Sequence, residues 1–174
     1  MYLISGYFDE STNKTLKKLI DKIAKVSGNS FMTDHKVPPH LTIAAIEAKS
    51  VDELVKPFET LKGTIGAGDI QIVSVGMLLP YVIYATPVLN AYLSELSEGV
   101  FKAIKGISGT TISKYYKPGS WLPHITLGKT LSKEQMKEAL EVAYDSFQPI
   151  KGEIVRIGLS TVNPHTDVAC IELK

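Results

Sequence analysis

Two histidines offer the clearest chemistry in this sequence. His40 stands in Pro39-His40-Leu41-Thr42-Ile43, and the chain writes the same pattern again as Pro123-His124-Ile125-Thr126-Leu127. Each copy alternates polar and apolar, the period of a half-buried strand, so His and Thr project from one face and the aliphatic residues from the other. The copies lie about half of the 174-residue chain apart, which points to two equivalent halves. Two imidazoles facing one phosphate supply what ester cleavage at phosphorus needs: a neutral ring takes a proton from the attacking hydroxyl while a charged ring gives one to the leaving oxygen. Histidines near their ordinary pKa of about 6.5 hold both states together near neutral pH. The hydroxyls of Thr42 and Thr126 suit the non-bridging oxygens, where negative charge grows in the transition state. This chemistry needs no metal and no other cofactor. Symmetry between the copies does not say which ring is acid and which is base.

The elements around the motifs repeat as well. Tyr2 to Phe8 reads as a strand, and Leu16, Leu19, Ile20, Ile23 and Ala24 recur at helical spacing until Gly28 stops the helix. The first motif strand runs to about Ile46. Ser50-Val51-Asp52-Glu53 has the spacing of a capping box, opening a helix to about Leu61 that Pro57 would shorten or kink. Ile70 to Val75 follows as a strand turned by Gly76 or Pro80. The order then recurs. Tyr81 to Ala85 is a strand, Thr86-Pro87 reads as a helix start, and Leu89, Leu93, Leu96, Val100 and Ile104 form an apolar stripe. Beyond the second motif, Ser132-Lys133-Glu134-Gln135 opens a helix to about Phe147, and a hairpin over 153–162 and 167–173 turns at Asn163-Pro164.

Composition sets outer limits. The 44% hydrophobic and 21% charged content is globular, and a formal charge of +1 gives no bulk field toward nucleic acid or an anionic membrane. Of 19 basic residues only Arg156 is an arginine, which removes most bidentate clamps for phosphates or bases. Cys170 is the sole cysteine, so it has no intramolecular disulfide partner, and its apolar alternation reads as a buried structural thiol. The N-terminal residues carry no signal-type segment, and Pro80 interrupts the most apolar stretch, so a membrane is not expected and a reducing cytoplasm is.

Paired His-apolar-Thr-apolar motifs, one on a strand in each half of a duplicated chain of this length, resemble the two-histidine phosphoesterase superfamily. That superfamily includes bacterial RNA 2′,3′-cyclic phosphodiesterases, also known as 2′-5′ RNA ligases. The resemblance implies an α+β fold: a single bilobal domain over residues 1–174 with pseudo-repeats at about 1–77 and 78–174. Two mainly antiparallel sheets, flanked by outer helices, would enclose a central cleft. It further implies a metal-independent phosphodiesterase acting on 2′,3′-cyclic phosphates of nucleotides or RNA ends, with His40 and His124 as acid and base and Thr42 and Thr126 holding the phosphate. The expected partner is a small cyclic phosphodiester or an RNA terminus, and the expected state is a monomer.

The loops feeding the motif strands are candidates for substrate contact, because aromatic residues mixed with lysines suit base stacking and phosphate attraction. Lys36 stands in the first; Tyr115, Lys117 and Trp121 stand in the second. His35 and His165 lie outside any repeated context and read as solvated loop or turn residues. Tyr7 and Phe8 read either as core or as cleft. The scarcity of arginine favours a small cyclic phosphodiester over large structured RNA. A non-catalytic module binding phosphate or RNA ends is the alternative on the same fold, and a metal-dependent hydrolase is a third reading that no ligand spacing supports.

Overall fold

The computed structural model describes residues 1–174. Eight strands and five α-helices alternate along the chain: β1 (Tyr2–Phe8), α1 (Glu10–Ser27), α2 (Phe31–Asp34), β2 (Leu41–Glu47), α3 (Asp52–Glu59), β3 (Gly68–Leu78), β4 (Val82–Pro87), α4 (Ala91–Ile104), β5 (Thr111–Ile112), β6 (Ile125–Gly128), α5 (Lys133–Ser146), β7 (Ile150–Thr161) and β8 (Thr166–Glu172). All strand pairs are antiparallel.

Local chemistry explains most boundaries. Asp9 caps α1 by accepting from the Thr12 backbone N–H, and Gly28 ends it in the left-handed region at φ 64°, where a side chain would be strained. Ser132 and Gln135 form the complete reciprocal capping box of α5. The same spacing at Ser50 fails. Its oxygen accepts from the Asp52 N–H at 3.2 Å instead of from Glu53 while its hydroxyl donates to the Asp52 carboxylate at 2.8 Å, Val51 takes the cap position without a side-chain bond, and α3 ends two residues after Pro57. Thr86-Pro87 also departs from the expected helix start. Pro87 remains in β4 opposite Ile72, and α4 begins at Ala91 under the Asn90 side chain. Leu89 consequently lies outside the helix and is exposed, while Leu93, Leu96, Val100 and Ile104 are buried.

The strands form a closed circuit, β1-β2-β6-β4-β3-β7, with β7 returning to β1; β8 lies on β7 and β5 on β2. The two expected sheets are β2-β1-β7-β8 and β6-β4-β3. They are hydrogen-bonded into one system at two seams: the single pair Leu41↔Ile125, and the stretch where Gly68–Ile72 meets Ile150–Ile154. The strands that follow α3 and α5 cross over. β3 pairs with β4, and β7 pairs with β1.

Helices cover the outside. α1 packs on α5, burying Leu16, Leu19, Ile20 and Ile23 against Met136, Ala139, Val142 and Ala143, while α3 and α4 meet through Leu54, Phe58 and the α4 stripe. Ile4, Leu41, Ile43, Ile125 and Leu127 belong to the same core. Each motif therefore anchors its aliphatic residues under helices and turns its polar residues the other way. Cys170 is exposed, because β8 is an outer strand and alternation alone does not tell which face is covered. No helix is long and apolar enough to cross a membrane.

Candidate active site

Both histidines sit one residue before their strand begins, each behind a buried proline. Proline fixes φ and biases the preceding residue toward extended backbone, so the approach to each strand is stiff. The carbonyl two residues upstream consequently meets the ring. His40 Nδ1 lies 2.8 Å from the Pro38 carbonyl oxygen, and His124 Nδ1 lies 2.9 Å from that of Leu122. A carbonyl only accepts, so each Nδ1 carries the proton and donates it. In the neutral ring this leaves Nε2 with the free lone pair, in both copies.

Register brings the copies together. Leu41 is the antiparallel partner of Ile125. Continued by one residue in each direction, that register sets His40 opposite Thr126 and Thr42 opposite His124, all on the face away from the buried Leu41 and Ile125. His40, Thr42, His124 and Thr126 line one cavity of about 430 Å³. A phosphate there would meet one imidazole and one hydroxyl from each motif.

The loop of residues 106–123 secures this geometry from the side. Trp121 is buried and donates Nε1–H to the Thr42 carbonyl at 3.0 Å, and Ser113 N–H donates to the Ala45 carbonyl at 2.9 Å. Thr86 Oγ1 donates to the Pro123 carbonyl at 2.7 Å, fixing the approach to the second motif. Lys36, Tyr115 and Lys117 are exposed and do not line the cavity. The loops reach it instead through Phe31, Met32 and Val37 on one side and Ser113 and Tyr116 on the other, with Lys129 as the only lysine or arginine among the lining residues. Lys129 stands five residues after His124, as Ala45 stands five after His40, and both positions face the cavity. That repeated offset was the available sequence signal for Lys129.

His165 is not the solvated turn residue its local context suggests. It lines the same cavity, and its ring lies 4.9 Å from that of His40 between centroids. His35, by contrast, is exposed and stacks on Phe31 at 4.3 Å. Tyr7 is core by burial and polar at its tip: its hydroxyl donates to Asp167 Oδ1 at 2.5 Å and lies 3.0 Å from His165 Nε2. Phe8 is core.

Burial disfavours the charged imidazole, so His40 is lowered from 6.5 to about 4; the Pro38 carbonyl opposes the shift, His165 and His124 add to it, and Asp167 opposes it. Burial also lowers His165, against the pull of Asp167. The Tyr7 phenol is pushed well up, first by burial and then by its bond to Asp167.

A closed antiparallel circuit with two matched His-x-Thr strands on one cavity defines a class of protein, and the comparisons agree with it. The profile of the 2′-5′ RNA ligase superfamily matches residues 13–164. This chain belongs to that superfamily of two-histidine phosphoesterases. Among solved structures it is similar to a phosphoesterase at TM-score 0.67 and 17% identity, with 99% of this chain and 97% of that one covered. Escherichia coli LigT complexed with 3′-AMP matches at TM-score 0.64 and 15% identity, and a Thermus thermophilus protein at 0.62 and 16%, each covering 99% of this chain and 97% of its own. None of the curated protein sequences matches the chain.

Proposed function

We propose that the protein is a metal-independent phosphodiesterase that opens 2′,3′-cyclic phosphates of nucleotides or RNA ends, with His40 and His124 exchanging protons and Thr42 and Thr126 holding the phosphate. The observation that carries this reading is the matched Nδ1 anchoring of two histidines that line one cavity together with the threonine of each motif.

Water attacks phosphorus and passes a proton to the neutral Nε2; the bond from phosphorus to one ribose oxygen breaks, and that oxygen takes a proton from the charged ring. The products are a phosphomonoester and a free hydroxyl. The rings exchange protonation states over the cycle, so no outside oxidant or co-reactant is needed. Charge on the non-bridging oxygens is met by the threonine hydroxyls, which act hardest where water is scarce. A single lining lysine and the apolar walls from Leu3, Phe31, Met32, Val37 and Val82 suit one nucleotide or a chain end better than a long anionic strand.

A non-catalytic binder of phosphorylated ends is the second reading. It is favoured by one fact: the E. coli LigT structures hold 3′-AMP, NADP+ and ATP. Phosphorus NMR on 2′,3′-cyclic AMP separates the two. Conversion to a monoester that persists with chelator present supports the enzyme, and an unchanged spectrum with saturable binding of 3′-AMP supports the binder. Activity abolished by chelator and restored by a divalent ion would overturn the metal-independent claim.

A further inference from the structure

Beside His40 lies a polar cluster that the chemistry above does not use. Cross-strand partners share a face, and Tyr7 on β1 pairs with Arg156 on β7, while Ser5 pairs with Thr42 and Ser160 with Leu3, which lines the cavity. The inner face of this sheet is therefore lined by Arg156, Tyr7, Ser5 and Ser160. The hydroxyls of Ser5 and Ser160 are fully buried without a protein partner.

A phenol has one proton. Tyr7 donates it to Asp167, so its contact with His165 Nε2 is filled by an N–H from the imidazole. Neutral His165 is thereby fixed with Nε2 protonated and Nδ1 bare, the reverse of His40. The Arg156 guanidinium lies 4.5 Å over the Tyr7 ring and 3.9 Å from Asp167, so the carboxylate is engaged by Tyr7 and Arg156 rather than by His40. Gly158 makes the arrangement possible, since a Cβ there would stand 2.7 Å from both Tyr7 Cε2 and Asp167 Oδ1. Held this way, the His165 ring leans on His40 with planes inclined at 34°.

We propose that His165 is a positioning residue: anchored by Tyr7, which Asp167 in turn holds, it packs against His40 and keeps that imidazole uncharged, so that His40 takes the proton from the attacking water and His124 gives one to the leaving oxygen. The assignment of base and acid rests on the phosphodiesterase reading; the effect of His165 on His40 does not. Two causes act together. The His165 ring displaces water that would solvate a charged His40, and a proton on either ring repels a proton on the other. Around the cavity, His124 and Lys129 add positive charge from the β6 side, Glu47 and Asp167 add negative charge from β2 and β8, and Tyr116 and Tyr7 remain neutral at working pH. The carboxylate that favours a charged His40, Asp167, is the one already engaged by Tyr7 and Arg156.

The test is a carbon-proton NMR titration of the histidine rings between pH 4 and 8, with the His40 signal assigned by its loss in His40→Gln. In the wild type His40 stays neutral well below the ordinary midpoint of about 6.5. In His165→Ala its midpoint rises by about one pH unit or more, and in His165→Phe, which keeps a ring without a charge, by less. Tyr7→Phe frees the His165 ring and moves the midpoint the same way, which decides the matter if His165→Ala does not fold. The acid limb of kcat/KM on 2′,3′-cyclic AMP moves up with the titration. An unmoved His40 midpoint in folded His165→Ala, or in folded Tyr7→Phe should the alanine variant fail to fold, overturns the proposal. If the wild type turns over no cyclic phosphate, the base assignment falls with the phosphodiesterase reading, while the titration still decides whether His165 holds His40 neutral.

Discussion

His40 leans on a second imidazole, whereas His124 meets the edge of a phenol, that of Tyr84, at 5.5 Å with ring planes at 65°. The hydrogen bond that orients each ring is the same in the two copies, to within 0.1 Å. What differs is the bed beneath. His40 rests beside β1, β7 and β8 with their Tyr7, Arg156 and Asp167, and His124 rests beside β4. Short-range sequence has duplicated the aim of the two side chains, and long-range packing has made their electrostatic settings unequal. Matched geometry with unmatched surroundings is what a reaction needs when one group must start charged and the other uncharged.

The largest expected effect comes from removing either ring. His40→Ala and His124→Ala should each lower turnover of 2′,3′-cyclic AMP by about a hundredfold or more, and the double variant should fall by much less than the product. Near-normal turnover by either single variant would break the pairing altogether.

Acid stability sharpens the contrast. The folded His40 value of about 4 lies below the unfolded value near 6.5, so between those pH values the unfolded chain binds a proton the folded one does not. Stability is lost as pH falls through this window, by about 3 kcal/mol once pH is below both values. His165, lowered for the same reason, adds to the loss. His40→Gln should flatten the dependence of unfolding free energy on pH over that window, measured by denaturant titration; an unchanged slope would mean His40 is not held neutral.

Thr42→Val and Thr126→Val keep the side-chain shape and remove the hydroxyl. Each should lower kcat about tenfold to a hundredfold, the worth of a hydrogen bond to a charged oxygen. Equal losses would mean the phosphate sits symmetrically; a larger loss at one would show which motif it leans toward. Smallest are the supports. Trp121→Phe removes the bond to the Thr42 carbonyl and Thr86→Val that to Pro123, each costing about 0.5–1.5 kcal/mol. Thermal melting should show this as a fall of about 2–4 °C for each kcal/mol. A melting temperature unmoved by Trp121→Phe would mean that indole only fills space.

What was legible beforehand follows the range of the interactions. Pro39 to Ile43 and Pro123 to Leu127 declare a strand face by alternation, and Ser132 with Gln135 declares a helix start, because both patterns are read over a few residues. Ser50 shows the same spacing and fails, since its oxygen accepts from the nearer Asp52 N–H and its proton goes to the Asp52 carboxylate. His165 was not legible. The turn that carries it is plain in Asn163-Pro164, but its position beside His40 depends on β7 leaving its own half to pair with β1, which no local pattern encodes. The loop residues divide similarly: composition marks lysines and aromatics, and only packing tells that Trp121 turns inward while Tyr115 turns out.

The crossing of β3 and β7 bears on how the molecule comes into being. A nascent chain that has emerged only as far as residue 149 has made both histidines and both threonines, yet Tyr2–Phe8 still has one bare edge, because its neighbour on that side begins at Ile150. Tyr2–Phe8 must wait for Ile154–Thr161, which follow it by most of a domain. Even then the imidazole of His40 gains its companion only when residue 165 arrives, so the surroundings of the first histidine are complete only after those of the second.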